Sequence, residues 1–424
     1  MEFETLKKSH LKRNIIIGVV AVLIISAIIL NFTRAKYRVT QSIPLVNGTI
    51  NYTLPDLNII GLYIDGEEAT KLDSSKTYTL DTIQSTCTYK DGSTIENLSI
   101  NYESETGKLT ITPFTVKGTK CTLYFNEQVF VGDTILANYS TVKTRTFPLT
   151  TSSTVTETTT GTIYKSANSN QYDNDGEVYY FAGNPTDNWV KWAGFYWRII
   201  RINGNGSIRM IYQGTSPNTT GTGTQLQTSA FNSSANRSEY VGLKYTSGQQ
   251  HGQNTNSTIM GVLNTWYNSK LASYADDIDT NVGFCSDRNL QSGSWSSTGS
   301  HNYAAYGRLV SSSSNVNPSY KCSNSSDLLK IPIGLITADE VIMAGLPRSG
   351  STTSNYLYTG QNYWTMSPYY YYGNAVVFIV WSDGDLNSTY VNSTTVGVRP
   401  VINLKSSVQI TGGNGSSSNP YVIL

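Results

Sequence analysis

The chain has 424 residues, of which 14% are charged and 30 are tyrosine. Its 30 Lys and Arg balance 29 Asp and Glu to a formal net charge of +1, which argues against a protein that holds nucleic acid through a basic surface. Three histidines, His10, His251 and His301, offer little material for a metal site or a proton relay. We therefore expect no metal, no cofactor, no nucleic-acid partner and no enzymatic activity.

The first predicted element is a membrane anchor at residues 14–32, which follows a short tail at 1–13. Its centre, residues 15–30, is interrupted only by Gly18 and Ser26, and nineteen helical residues span about 28 Å, enough to cross a bilayer. Basic residues in the tail predict a cytoplasmic N-terminus, with the bulk of the chain outside the cell. No small-x-small cleavage motif follows, which favours an uncleaved single-pass anchor over a signal peptide.

Residues 46–127 read as short strands separated by turns and predict a small all-β sandwich that acts as a spacer. Alternating segments at 98–102 and 108–112 predict a hairpin. Cys87 and Cys121 lie in this region, and Cys285 and Cys322 lie in the C-terminal one. An even pair in each region predicts two intradomain disulfides, the first of them joining the two sheets, while four free thiols remain the alternative.

A tract rich in Thr and Ser occupies residues 138–170. It contains few bulky apolar side chains, so it has little surface to bury on its own. This composition predicts a stalk between two folded parts.

The C-terminal region, residues 177–424, contains all seven tryptophans and therefore the predicted main core. Apolar spacing predicts a helix from Ser257 to Ser273, and a capping box that starts at Thr337 predicts a second, shorter helix. Strands are expected at 195–202, 207–212 and 375–380. Few helices among many short strands and long loops indicate an α+β domain.

Four blocks of this region carry a family resemblance: WAGFYWRIIRING at 192–204, MGVLNTWYNSKL at 260–271, IGLITADEVIMAG at 333–345, and the closing block at 364–404. The closing block begins Trp-x-x-Ser-Pro and ends Gly-Val-Arg-Pro-Val. In this order the blocks resemble bacterial and phage proteins with a C-type-lectin-like, formylglycine-generating-enzyme-like fold, which include variable proteins of diversity-generating retroelements. The resemblance implies a C-type-lectin-like domain in which Trp197, Trp364, Arg399 and Pro400 belong to the scaffold.

The resemblance also implies that the middle of the closing block faces outward as a ligand-binding patch. Its Tyr, Asn, Ser and Asp composition is similar to that of an antibody paratope. An ordinary Tyr-rich hairpin with partly buried rings is the alternative, although four consecutive tyrosines cannot all face a core. The expected ligand-binding residues are Tyr369, Tyr370, Tyr371, Tyr372, Asn374, Ser382, Asp383, Asp385, Asn387, Ser388, Tyr390, Asn392, Ser393 and Thr394.

Other chemistry has weaker support in the sequence. Residues 173–177 begin like a calcium-binding EF-hand loop, but Asn184 stands where the distal Glu is required. The carboxylates of Asp383 and Asp385 lack the sugar-binding tripeptide of calcium-dependent lectins, and no cysteine follows Cys322 to support the oxidase activity of formylglycine-generating enzymes.

The sequence thus predicts a membrane-anchored bacterial cell-surface binding protein with an external protein or glycan ligand. A structural surface or pilus-like subunit without a selected ligand is the alternative.

Overall fold

The computed structural model describes residues 41–44, 57–74, 76–104, 106–112, 118–217 and 219–423. The chain divides into two compact units, residues 1–129 and residues 130–424. The predicted tail at 1–13 and anchor at 14–32 lie outside the described residues. Within the described part, no helix combines the length and apolar character that crossing a membrane requires.

The N-terminal unit consists of two sheets in its described part, and the two sheets share one core. Strands β1, β7 and β6 form a three-stranded sheet, and β3, β2, β8, β4 and β5 form a five-stranded sheet centred on β8. The strands are β1 (Gln41–Pro44), β2 (Leu57–Ile64), β3 (Glu67–Glu68), β4 (Thr77–Leu80), β5 (Thr86–Thr88), β6 (Ser99–Glu103), β7 (Lys108–Thr112) and β8 (Thr119–Gln128).

The predicted hairpin is present as β6 and β7, which pair antiparallel with Ile100 opposite Ile111. The expectation that the first disulfide joins two sheets is wrong, because Cys87 on β5 lies directly opposite Cys121 on β8 within the five-stranded sheet. The two strands are adjacent, and both cysteines are buried in the core that the two sheets share.

The C-terminal unit is built mainly from strands, most of them short. Those that precede the first long loop are β9 (Thr141–Thr144), β10 (Thr158–Thr159), β11 (Thr162–Lys165), β12 (Tyr179–Tyr180), β13 (Asn184–Pro185), β14 (Trp189–Trp192), β15 (Phe195–Ile202) and β16 (Ile208–Gly214). The others are β17 (Lys244–Tyr245), β18 (Thr255–Asn256), β19 (Phe284–Cys285), β20 (His301–Asn302), β21 (Leu328–Leu329), β22 (Tyr363–Tyr371), β23 (Ala375–Val380), β24 (Leu386–Tyr390), β25 (Val401–Leu404), β26 (Ile410–Gly412) and β27 (Tyr421–Ile423).

Two sheets organise the described part of this unit. The larger has nine strands, with β15 at its centre between β14 and β16. The smaller has four strands in the order β20-β22-β23-β24. Strands β15, β16 and β23 are buried over nearly their whole length, as expected of strands that are covered on both faces.

Four short α-helices occur among the described residues: α1 (Val131–Leu136), α2 (Thr258–Lys270), α3 (Ala304–Leu309) and α4 (Ala338–Met343). Helix α2 matches the prediction except that its last turn gives way to a 3₁₀ segment at Ala272–Asp277. Helix α4 begins with the predicted capping box: the Thr337 hydroxyl accepts from the Glu340 N–H, and the Glu340 carboxylate accepts from the Thr337 N–H. The fold is therefore rich in sheet and poor in helix.

The tract at 138–170 is part of the C-terminal unit, contrary to the predicted stalk. Strand β9 pairs in parallel with β11, which pairs with β12 in the nine-stranded sheet. Ile163 and Tyr164 are buried, and Arg145 donates to the backbone carbonyls of Ile342 and Met343 at 2.7 and 3.2 Å. Main-chain pairing with an existing sheet lets Thr-rich strands fold although they bring little apolar surface of their own.

An ionic cluster is buried where α4 meets the nine-stranded sheet. The Glu340 Oε1 atom lies 2.6 Å from Arg209 Nε and 3.2 Å from Arg201 Nη1. Burial lowers the pKa of Arg209 to about 10, although Glu340 opposes the shift. This carboxylate therefore caps a helix and also forms ion pairs with two buried guanidinium groups.

The second predicted disulfide, Cys285–Cys322, is also formed. It links β19 to the loop that precedes β21, and β19 and β21 pair with each other. The cross-link thus stabilises the two-stranded sheet of β19 and β21, which contains only two residue pairs.

Candidate functional site

One face of the four-stranded sheet carries a cluster of tyrosines near the turn between β22 and β23. Asn302 on β20 pairs with Tyr370 on β22, which pairs with Val376 on β23, which pairs with Tyr390 on β24. Directly opposed residues on neighbouring strands project from the same face, so these four side chains form one row across the sheet. Val376 is buried, whereas Tyr390 is 50% exposed.

Further tyrosines extend this row. The Tyr372 ring lies 5.0 Å from the Tyr370 ring and is 55% exposed, and its hydroxyl donates to Asn302 Oδ1 at 3.2 Å. Burial, and then the neighbouring phenols of Tyr390 and Tyr306 among others, raise the pKa of Tyr370. We call Asn302, Tyr306, Tyr370, Tyr372 and Tyr390 the tyrosine face.

Tyr369 and Tyr371 belong to the interior, although the resemblance places both in the ligand-binding patch. Tyr369 sits at a bulge between the pairs Pro368–Val377 and Tyr370–Val376, and its ring packs against Phe378 at 4.7 Å and Tyr306 at 5.1 Å. The Tyr371 hydroxyl donates to the Asn236 carbonyl at 2.9 Å. Both rings are buried. Tyr369 packs beside Tyr370, with the two ring centroids 4.9 Å apart, and Tyr371 lies on the other side of the sheet.

The turns at one end of the sheet add polar groups beside the tyrosine face. Asn374 is exposed in the turn between β22 and β23, where the Tyr372 N–H donates to the Asn374 carbonyl. Asn392, Ser393 and Thr394 follow β24 in a turn at the same end, because Val391 bonds to Ala375 at the start of β23. At neutral pH none of these turn residues is charged, and the tyrosine face itself carries no charge.

Ser382, Asp383 and Asp385 lie at the opposite end of β23 and do not join this surface. Six residues of strand, Ala375–Val380, separate the two ends by about 17 Å. The Asp385 side chain is buried, and its burial, reinforced by the neighbouring Asp383 carboxylate, raises its pKa to about 6. Asp383 is exposed and Ser382 is half-buried, so the predicted patch is divided in two.

Asn387 and Ser388 lie on β24 and are half-buried. Ser388 pairs with Phe378 and shares the side of the sheet that bears Tyr390, whereas Asn387 pairs with Ile379 and faces the other way. Strand alternation therefore removes Asn387 from the tyrosine face.

The four scaffold residues are all buried. The Arg399 guanidinium donates to the carbonyls of Tyr212 and Leu357 and to the Gln213 side chain, at 2.8, 3.2 and 2.6 Å. The Trp364 indole donates to the Ser229 carbonyl at 2.8 Å. These contacts tie long loops to the sheets.

Sequence reasoning missed Asn302 and Tyr306, and it counted Trp381 as a core residue. Asn302 and Tyr306 reach the tyrosine face through β20 and α3, about sixty residues before β22 in the chain, and no local signal links them to it. Trp381 is 43% exposed in the turn after β23. In the acidic turn at 173–176, Asp173 accepts from the N–H groups of Asp175 and Gly176 within the turn and from that of Gly204 between β15 and β16.

A metal site is not apparent in the part of the chain that the structure describes: it holds no group of three or more acidic, His or Cys side chains placed to share an ion. The chain matches no protein-family model, no curated protein and no solved structure. The site must therefore be judged by its own geometry.

Proposed function

We propose that this chain is a membrane-anchored bacterial cell-surface binding protein and that the tyrosine face is its recognition surface. The observation that carries the proposal is the row Asn302, Tyr370, Val376 and Tyr390 across one sheet, with Tyr372 beside it. Tyrosine presents a large contact area at little cost in rotamer entropy. The proposed ligand is an external protein or a glycan.

Buried rings that pack against this surface favour recognition over an incidental cluster. The buried Tyr369 ring lies 4.9 Å from the Tyr370 ring, and the buried Tyr371, whose hydroxyl is hydrogen bonded, lies on the other side of the sheet. A surface whose rings are already held in place loses less entropy on binding. The neighbouring Asn and Ser residues of the turns supply adaptable hydrogen bonds at the rim.

Two finer parts of the proposal rest on the sequence. The apolar segment at 14–32 supports the membrane anchor, and the four blocks between residues 192 and 404 support a C-type-lectin-like identity for the C-terminal unit. The variation expected of a diversified receptor would then fall on Tyr370, Tyr372, Tyr390 and the turn at 392–394. It would spare Tyr369 and Tyr371, because substitutions there disturb the core.

The test is to display the full-length chain on cells and to screen them against arrays of purified surface proteins and glycans. The triple variant Y370A/Y372A/Y390A is compared with Trp381→Ala, which removes an exposed aromatic ring from the other end of the sheet. The proposal is supported if the wild type and Trp381→Ala both capture a ligand that the triple variant does not capture. Equal capture by the wild type and the triple variant would refute it.

Sequencing of sibling loci gives a second test. Substitutions concentrated at the exposed positions of 370–394 support a variable receptor, and an even spread across the unit contradicts it.

A further inference from the structure

A groove of about 690 Å³ runs along α2 in the C-terminal unit, separate from the residues of the tyrosine face. One wall is a single stripe of the helix, in which lining residues recur every three or four positions. The segment 225–227 forms the other wall, and strand β16 contributes Tyr212. The lining residues are Tyr212, Gln225, Leu226, Gln227, Thr258, Gly261, Val262, Thr265, Trp266 and Ser269.

The aromatic part of the groove is held firmly. Trp266 is half-buried, and its ring lies 5.5 Å from Tyr212, 5.3 Å from Phe195 and 6.2 Å from Trp197. Three neighbouring rings at these distances fix the orientation of the indole. The part of the Trp266 ring that is not covered by these neighbours lines the groove and gives it a rigid apolar surface, which we call the platform.

The polar part of the groove contains amides and hydroxyls and no charge. None of the ten lining residues is ionised at neutral pH, because burial raises the pKa of the single phenol, Tyr212, above its usual value. Gln, Thr and Ser side chains each donate and accept hydrogen bonds. The groove therefore suits a neutral ligand with one apolar face and many hydroxyl groups.

We propose that this groove binds a neutral oligosaccharide. The C–H groups on one face of a sugar ring complement the negative face of an aromatic ring, and sugar hydroxyls match amides and hydroxyls that both donate and accept. The volume lies within the range of small-molecule sites. A phosphate or acidic sugar finds no cation here, and an apolar helix would leave the polar half of the lining unpaired.

Gly261 makes the proposal testable without damage to the fold. A Cβ atom added at Gly261 meets no atom within 4 Å, so Gly261→Arg fills the groove and also removes a glycine from a helix interior, which is worth up to about 1 kcal/mol. The matched control is Asn268→Arg, on an exposed position of the same helix that does not line the groove. A second variant, Trp266→Ala, removes the platform.

The full-length protein, in a detergent without a sugar headgroup, is titrated with maltotriose, cellotriose and chitotriose while tryptophan fluorescence and binding heat are followed. We expect saturable binding of at least one of them, weakened about tenfold or more by Gly261→Arg and Trp266→Ala, and unchanged by Asn268→Arg. The triple tyrosine variant should bind the sugar normally, which separates this site from the tyrosine face.

Three results would overturn the proposal. The first is no binding of any of the three sugars at about 10 mM, where a site with a millimolar Kd is largely filled. The second is unchanged affinity in Gly261→Arg. The third is equal or tighter binding of an acidic trisaccharide or of an uncharged Gly-Ser-Gln peptide.

Discussion

The buried ionic cluster at Glu340 gives the most quantitative test of the fold. The Glu340 side chain is 1% exposed, and its Oε1 atom lies 2.6 Å from Nε of Arg209, whose side chain is 2% exposed. Glu340→Gln keeps the shape of the side chain and an oxygen that can cap the Thr337 N–H, but it removes the charge. Because removal of one partner from a buried pair leaves the other charge uncompensated, the free energy of unfolding should fall by about 3–5 kcal/mol.

The control for this change is Glu157→Gln in the same unit. Glu157 meets Lys143 at 2.6 Å, but both side chains are exposed, at 63% and 40%. An exposed pair of this kind contributes about 0–1 kcal/mol despite its short distance. The two substitutions are chemically identical, but Glu340 is buried against two arginines and Glu157 is exposed beside one lysine.

Denaturant unfolding followed by tryptophan fluorescence measures both variants, because all seven tryptophans lie in the C-terminal unit. The double variant E340Q/R209M should recover part of the stability lost in Glu340→Gln, since it removes one of the two arginine charges that Glu340→Gln leaves unpaired. A loss below about 1 kcal/mol in Glu340→Gln would refute the reasoning.

Three further outcomes are expected. The pKa of Asp385 is raised to about 6, so the stability that its protonated form contributes is complete below pH 4 and is lost as the pH rises through 6. Between pH 4 and 7 the free energy of unfolding should therefore fall by about 1–2 kcal/mol more in the wild type than in Asp385→Asn. Denaturant titrations at the two pH values measure this difference. Tyr371→Phe should cost about 1 kcal/mol in the same assay, because its hydroxyl bonds to a backbone carbonyl, whereas Tyr372→Phe should stay within about 0.5 kcal/mol; equal costs would contradict the assignment of the two faces. Replacement of both Cys285 and Cys322 with Ala removes a cross-link between residues 37 apart and should lower the free energy of unfolding by about 4 kcal/mol, and a change below about 1 kcal/mol would show that the cross-link is dispensable.

Elements governed by local chemistry could be predicted from the sequence. Strand β15 lies where its apolar run places it, at Phe195–Ile202, and α4 begins at the capping box of Thr337 and Glu340. Both signals act within a few residues, so the surrounding fold has little opportunity to override them.

Features that depend on distant pairing could not be predicted. The Thr-rich tract forms β9, β10 and β11 because two strands outside it provide pairing partners: β10 pairs with β13, and β11 pairs with β12. Cys87 and Cys121 face each other within one sheet because β5 pairs with β8, a choice that alternation alone does not specify. The length of β23 separates the tyrosine face from Asp383 and Asp385. This separation could not be predicted, because these residues are close together in the sequence.

Three buried arginines of the C-terminal unit have the same structural role. Arg145, Arg288 and Arg399 donate to backbone carbonyls of residues far away in the sequence. Long loops leave carbonyls without a partner in any sheet, and a buried carbonyl needs a donor. Guanidinium groups, with five donors each, meet that need for several loops at once.

Because these guanidinium groups are buried, their charge lies inside the C-terminal unit. The two proposed recognition surfaces, the tyrosine face and the groove along α2, consist of uncharged side chains. The tyrosine face and the groove along α2 share this neutrality but differ in form: the first is a cluster of tyrosines on one face of a sheet, and the second is a cleft beside a helix with a fixed indole. A surface that exposes the rings of Tyr372 and Tyr390 suits contact with a protein. A cleft with one aromatic wall suits a ligand that can enter it, so the two sites are expected to bind independently.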